Sequence, residues 1–156
     1  MPPNFGYSYK EVKENQVRVS LRDVRVSFKD SVEVCRAVKG MKLDDARNFL
    51  IDVINGRRSV PFKRYKKHVG HRKDLQGWAA GRYPKKIASK ILELLDHGEA
   101  MAEDKGLDIE SLYIVHLAAQ QGPKLRRYFP RAYGRATPKI EQLVHFELVL
   151  EERMHE

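Results

Sequence analysis

Leu112-Tyr-Ile-Val-His-Leu-Ala118 is rich in strand-favouring residues, and further on Val144, Phe146, Leu148 and Leu150 alternate with His145, Glu147 and Val149. Alternation at period two puts one set of side chains on a buried sheet face. The simplest connection between the two runs is a long antiparallel hairpin over residues 112–150, with its tip at 122–138. From Ser111 to Ile140 the chain runs thirty residues without one acid. Lys124, Arg126, Arg127, Arg131, Arg135 and Lys139 crowd this segment, with Tyr128, Phe129 and Tyr133 among them. A free-standing loop of that charge repels itself and gains little from folding alone. Surrounded by polyanion it makes physical sense, with arginine forks on phosphates and rings stacked on unpaired bases. Gly122, Pro123, Pro130, Gly134 and Pro138 interrupt ladder pairing, so the tip is expected to be an irregular ribbon. Ala132 and Gly134 are small enough to let backbone approach RNA closely.

Outward from the hairpin, Val17-Arg-Val-Ser-Leu-Arg22 alternates apolar and polar residues and reads as a half-buried strand. Ser27-Phe-Lys-Asp30 resembles a capping box with Asp30 in place of the usual glutamate. The helix that follows buries Val34, Cys35 and Val38 and stops at Gly40. Ala46, Phe49, Leu50, Val53 and Ile54 share one face of a second helix, which Gly56 ends. Its first turn carries Asp44 and Asp45, which favour the helix dipole. Pro84 suits the first turn of a third helix striped by Ala88, Ile91, Leu92 and Leu95 and capped by Gly106. On that helix Asp96, Glu99 and Glu103 read as a solvated face. The expected fold is α+β, a single domain over residues 1–156. Three helices pack on one face of a small three-stranded antiparallel sheet, and a long β-hairpin protrudes. No internal repeat is visible.

Residues 56–83 lose the helical period. Gly56 to Lys90 holds twelve lysines and arginines against a single acid, Asp74. Arg57, Arg58, Lys63, Arg64, Lys66, Lys67, His68, Arg72, Lys73 and Arg82 interleave with Phe62, Tyr65 and Trp78. This basic insertion reads as an irregular excursion that depends on a partner for order. Lys85 and Lys86 opening the third helix, and Arg22, Arg25 and Lys29 before and within the first, extend the same surface. The candidate polyanion contacts are all these cations with Tyr65 and Trp78, and Lys124, Arg126, Arg127, Tyr128, Arg131, Tyr133, Arg135 and Lys139 in the hairpin.

Thirty Lys and Arg against twenty-one Asp and Glu give a formal net charge of +9 over 156 residues. That balance suits an acidic partner. The charge is segregated, since Glu93 to Glu110 and Glu151-Glu-Arg-Met-His-Glu156 lean acidic, so one side is expected to face polyanion and the other solvent or a protein. No stretch approaches the roughly eighteen apolar residues of a membrane span. The opening Met1-Pro-Pro-Asn-Phe-Gly-Tyr7 lacks the layout of a secretory signal. A soluble, intracellular protein without membrane insertion is expected.

Cys35 is the one cysteine, which rules out an internal disulfide or a thiolate zinc cluster; a buried structural thiol is expected. His68 and His71 stand three apart among cations that oppose a metal, with no acid or thiol ligand beside them. His116 and His145 lie on the two hairpin strands and are expected to face each other or to touch RNA. No paired carboxylates, phosphate-cradling glycine loop or nucleophile elbow is present. No catalytic residue, metal site or protein-bound cofactor is expected, only magnesium associated with a bound RNA.

Several stretches resemble the universal large-subunit ribosomal protein of the L-twenty-two family. They are Arg22-Asp-Val-Arg-Val-Ser-Phe-Lys-Asp30, Val38-Lys-Gly-Met-Lys-Leu-Asp-Asp-Ala46, Glu99-Ala-Met-Ala-Glu-Asp-Lys-Gly-Leu-Asp108, Tyr128-Phe-Pro-Arg-Ala-Tyr-Gly-Arg-Ala-Thr-Pro138 and Leu143-Val-His-Phe-Glu-Leu-Val-Leu-Glu-Glu152. The likeness runs from Val17 to Glu152. Ser59-Val-Pro-Phe-Lys-Arg-Tyr65 and Gly77-Trp-Ala-Ala-Gly-Arg-Tyr-Pro-Lys-Lys86 look like the insertion of archaeal and eukaryotic members. No lysine-rich tail follows Glu152, so the archaeal type fits better.

The resemblance implies a structural constituent of the large ribosomal subunit, cytoplasmic and on the ribosome. It implies binding to large-subunit ribosomal RNA, a role in assembly, and neighbouring ribosomal proteins as further partners. It also implies a body near the exit of the nascent-peptide tunnel, with the hairpin tip in the tunnel wall. Arg127, Tyr128, Phe129, Pro130, Arg131 and Ala132 are then the tunnel-lining candidates, and the nascent peptide and exit-site targeting factors become partners. Two competing classes stand beside this reading. An RNA-processing factor would need a convergent catalytic set, which the sequence lacks. A general nucleic-acid-packaging protein would bind duplex DNA equally well, whereas an aromatic-rich tip favours RNA with unstacked bases.

Overall fold

The computed structural model describes residues 6–154. Met1 to Phe5 of the opening stretch, and His155 and Glu156 of the acidic end, lie outside the described residues. Among the described residues, no helix is long and apolar enough to cross a membrane.

The alternating run in the last third of the chain forms β5 (Ala136–Glu152), the central strand of a three-stranded sheet. It pairs antiparallel with β1 (Gln16–Val24) on one side and β4 (Leu112–Pro130) on the other. Val144, Phe146, Leu148 and Leu150 of β5 are fully buried and form the floor of the core. Over them pack α1 (Phe28–Val38), α2 (Leu43–Ile54) and α3 (Lys85–Lys105). The α+β expectation holds, with the helices contributing Val34, Leu50, Ile91 and Leu95 to the same cluster.

Local signals start and stop these elements much as the sequence suggests. The Ser27 hydroxyl accepts the Asp30 N–H at 3.5 Å, which supplies one half of the capping box. Cys35 is buried in α1, and that burial pushes its thiol up to about 12. After α1 the chain turns at Gly40, whose φ of +89° suits glycine. There the Gly40 N–H donates to Ile114 O at 2.8 Å, and the Ile114 N–H donates to Met41 O at 2.9 Å, covering the edge of β4. Pro84 stands just before α3 rather than inside its first turn. Midway along α3, a Cβ at Gly98 would fall 2.8 Å from a Leu150 methyl and 3.0 Å from one of Leu148, so glycine lets the helix settle onto β5.

The acids of α3 are not simply solvated. Arg47 of α2 pairs with Asp96 at 2.9 Å and with Glu99, which clamps the two helices together. The sheet face away from the helices is also covered. Glu147 of β5 is only 1% exposed there. It accepts from the Ser8 N–H at 3.1 Å, from the Ser8 hydroxyl, and from the Gln120 amide at 3.1 Å.

The basic insertion departs most from expectation. Far from waiting on a partner for order, it folds against α1. Short strands β2 (Val60–Pro61) and β3 (Gly81–Arg82) pair antiparallel, and Val60 and Phe62 are fully buried in the core. Glu33 of α1 is 1% exposed. Its carboxylate accepts the backbone N–H groups of Lys63, Arg64 and Tyr65 at 2.8, 2.8 and 3.0 Å. Asp74 accepts both the N–H and the hydroxyl of Ser59 at 2.8 Å, and these bonds hold its carboxyl below the usual range. The Trp78 indole donates to Phe62 O at 2.9 Å. Hydrogen bonds to a charged acceptor contribute about 1.5–3 kcal/mol each. Glu33→Gln is therefore expected to speed amide hydrogen exchange at Lys63, Arg64 and Tyr65 about tenfold or more, and to leave exchange in α3 and β5 unchanged. Equal exchange in variant and parent would show that Glu33 does not hold the insertion.

Candidate nucleic-acid interface

β4 and β5 pair from Leu112 opposite Glu152 out to Pro130 opposite Ala136. Register shifts fall between Ile114 and His116 and between Gln121 and Lys124. Beyond the second shift the strands leave the body as a two-stranded ribbon, roughly 20 Å long at strand rise. The ribbon is regular, not irregular as the glycines and prolines suggest. Tyr128 pairs with Pro138 and Pro130 with Ala136 inside the ladder. In such a ribbon both strands are edges, and a proline whose absent N–H would face outward breaks no ladder bond. Gly122 and Pro123 sit within the register shift itself.

The chain reverses over Arg131 to Arg135, where the Arg131 N–H donates to Arg135 O at 2.8 Å. Tyr133 and Gly134 both adopt positive φ, 58° and 66°. That conformation is uncommon for a bulky residue, and the Tyr133 side chain is 97% exposed. Tyr128 and Phe129 are exposed as well, with the Lys139 ammonium 4.9 Å from the Phe129 ring centroid. Lys124, Arg126, Arg127, Arg131 and Arg135 are all exposed along the ribbon and its turn. The ribbon has no core of its own.

Three clefts join the hairpin to the insertion. Arg64, Lys67 and Arg82 line the first together with Lys29. Lys29 also lines the second with Arg25, Lys86 and Gln121, at the root of the hairpin. Arg25 continues into the third with Arg127 and Lys139. The two basic segments of the sequence are thus one band of cations. Within it rings hold the cations in place: Lys29 and Arg64 lie 5.6 and 5.2 Å from the Tyr65 ring, and Lys66 lies 5.3 Å from Trp78. Arg57, Lys63, His68, Lys73 and Lys85 are exposed around the insertion and the start of α3.

Some candidate cations already have work inside the protein. Arg22 lies on the far face of the sheet, 3.6 Å from buried Glu147 and donating to Gly6 O at 3.2 Å. Arg25 makes a bidentate pair with Glu141 at 2.8 and 2.7 Å, which lowers the Glu141 carboxyl. Arg72 donates to Gly81 O at 3.1 Å and lies against Tyr83, while Arg82 donates to His68 O and lies over Phe62. Sequence reading missed Glu33 and Asp74, the two carboxylates that shape the insertion. Nothing in their spacing separates them from solvated acids. Among the described residues, no group of three or more His, Cys, Asp or Glu could hold a metal ion.

His116 and His145 do not face each other, because His116 pairs with Val149 and His145 with Gln120. The two histidines lie four positions apart along a continuous stretch of the ladder. The His145 ring accepts the Asp23 N–H at 3.1 Å, next to the irregularity in β1. His116 lies 4.0 Å from Glu147 and stacks near Tyr9. Burial, with a contribution from Lys39, lowers its pKa despite Glu147.

The family profile described as Ribosomal protein L22p/L17e matches residues 19–151. A large ribosomal subunit protein uL22 of Archaeoglobus fulgidus is 49% identical over 149 residues, 95% of this chain and 96% of the relative. The protein of the same name from Thermofilum pendens is 49% identical over 150 residues, and that of Methanocaldococcus jannaschii 48% over 152 residues. Each of these two matches spans at least 96% of both chains. A basic body with one long basic ribbon is here the form of a structural ribosomal protein of the large subunit. The chain belongs to the ribosomal protein L22p/L17e family, which is not known to be enzymatic.

The lowered pKa of His116 has a definite sign for stability. The folded state favours the neutral ring, so this contribution is present above the ordinary value of 6.5 and is lost as pH falls through the folded value. His116→Gln is expected to shrink the loss of denaturant midpoint between about pH 7 and pH 5. An unchanged pH dependence, or an imidazole resonance titrating above the ordinary value, would contradict the assignment.

Proposed function

We propose that this protein binds large-subunit ribosomal RNA through the cation band, aids assembly of the particle, and lines the nascent-peptide exit tunnel with its hairpin tip. The observation that carries the reading is the ribbon: exposed on both faces, acid-free from Ser111 to Ile140, and cationic along its length. Such a ribbon gains its burial from something outside the chain. Arginine and lysine neutralise converging phosphates, so that separate RNA segments lie close together. Exposed Tyr128, Phe129 and Tyr133 supply faces on which unstacked bases rest. In the tunnel wall, Arg127, Tyr128, Phe129, Pro130, Arg131 and Ala132 are the side chains that meet the nascent peptide. The body sits toward the tunnel exit among neighbouring ribosomal proteins, where targeting factors approach, in the cytoplasm. The protein holds no cofactor of its own; magnesium enters with the RNA.

The ribbon makes no contribution to the core, so its arginines can be removed without unfolding the body. Changing Arg126, Arg127, Arg131 and Arg135 together to Ala is expected to leave the thermal midpoint within a degree or two, as for surface substitutions. Binding to large-subunit RNA should weaken, and the slope of log affinity against log salt should fall by about one per arginine removed. Purified large subunits should retain the parent protein, but not the variant, through a high-salt wash. Normal incorporation of the variant with an unchanged salt slope would overturn the reading.

A further inference from the structure

A cleft of about 530 Å³ separates α1 and α2 from the insertion, away from the ribbon. Its apolar wall comes from Met41, Phe49 and Leu75, and its rim carries Arg36, Arg58 and Lys63. The Arg58 guanidinium lies over the Phe49 ring, 4.8 Å from the centroid, and is exposed at the cleft. The cleft's one acid, Asp74, is engaged by the Ser59 N–H and hydroxyl and fixes the position of that wall. The opposite side is fixed by Glu33, which holds the backbone of Lys63 to Tyr65 against α1. The cleft is therefore formed before any ligand arrives, and a preformed site avoids the ordering cost of binding.

Its chemistry is two-part. An apolar wall with a guanidinium plane suits the face of a nucleobase, by stacking and cation–π attraction. Three cations at the mouth suit the phosphates on either side of that base. A peptide without acidic side chains would meet an excess of positive charge at the rim. The volume lies within the range of sites that enclose a small molecule, which is room for one nucleotide and not for a helix. Arg36 also lines a neighbouring cleft with Arg64, so the mouth opens onto the cation band.

We propose that this cleft receives a single unstacked nucleotide of the ribosomal RNA, base against the exposed Arg58 guanidinium that Phe49 backs, and flanking phosphates on Arg36 and Lys63. The proposal rests on the RNA-binding reading and adds to it a preformed base pocket in the body, remote from the hairpin. Base stacking on such a wall changes affinity by about 1–3 kcal/mol, or roughly five- to 150-fold.

The test uses large subunits assembled with the full-length protein and probed base by base with dimethyl sulfate and carbodiimide. Leu75→Trp and Gln76→Trp fill the cleft from its wall, and Gln76 is exposed, so the second variant is expected to keep the parent's thermal midpoint. Arg58→Ala removes the guanidinium plane. All three variants are expected to raise the reactivity of the same one nucleotide about tenfold, in line with the loss of one stacking contact. The protection left by the ribbon should persist in the two tryptophan variants. An RNA footprint identical in parent and variants would overturn the pocket and leave the RNA reading standing. So would photo-crosslinks from a benzoylphenylalanine at Gln76 that reach only protein. Absence of any footprint, even from the parent protein, would overturn both.

Discussion

One antiparallel ladder, β4 against β5, carries the whole molecule. At its inner end the β5 side chains Phe146, Leu148 and Leu150 are the floor on which three helices close. At its outer end the same ladder continues with no core beneath it, from Lys124 opposite Gln142 to Pro130 opposite Ala136. An isolated two-stranded hairpin is marginal in water. The ribbon is held in direction because its strands are already paired and buried where they leave the body. The function proposed for the tip thus depends on packing at the far end of the same strands.

A second constraint is electrostatic. A chain with a formal charge of +9 must pack basic segments side by side without mutual repulsion opening them. The fold meets this by burying a few carboxylates. Glu33 gathers three backbone N–H groups of the insertion, and Glu147 ties the segment around Ser8 to the outer face of the sheet. Such groups are costly to bury unless fully hydrogen-bonded. Here they neutralise nearby positive charge while leaving the lysines and arginines of the band facing outward. Arg22, engaged by Glu147, shows the other side of that arrangement: position in a basic motif does not by itself place a cation on the outer surface.

Period and punctuation made much of the fold legible. Alternation in β1 and β5, the helical stripes of α1 to α3, and glycines at 40, 56 and 106 mark elements that the structure contains at nearly those bounds. The cation-rich stretches were equally plain, because charge and ring content are properties of the local chain. The insertion and the ribbon were harder. Phe62 in a run of lysines and arginines reads as a ring for stacking, yet it is a core residue. Prolines at 130 and 138 read as ladder breakers, yet both lie in paired positions, because each strand of a ribbon has a free edge.

The sequence by itself determined the α+β class, the hairpin and the basic faces, since all of these follow from local pattern and residue type. Only the tertiary structure decided that two basic segments far apart in the chain meet through Lys29 and Arg25 as one band. It alone decided that Glu33 and Asp74 fix the two segments of the insertion that border an open cleft, and that the ladder register sets His116 opposite Val149 and not His145. The physical reason is common to these cases. Which acid becomes a buried acceptor, which ring becomes core, and which residues sit opposite each other depend on long-range packing and register, which no local period records.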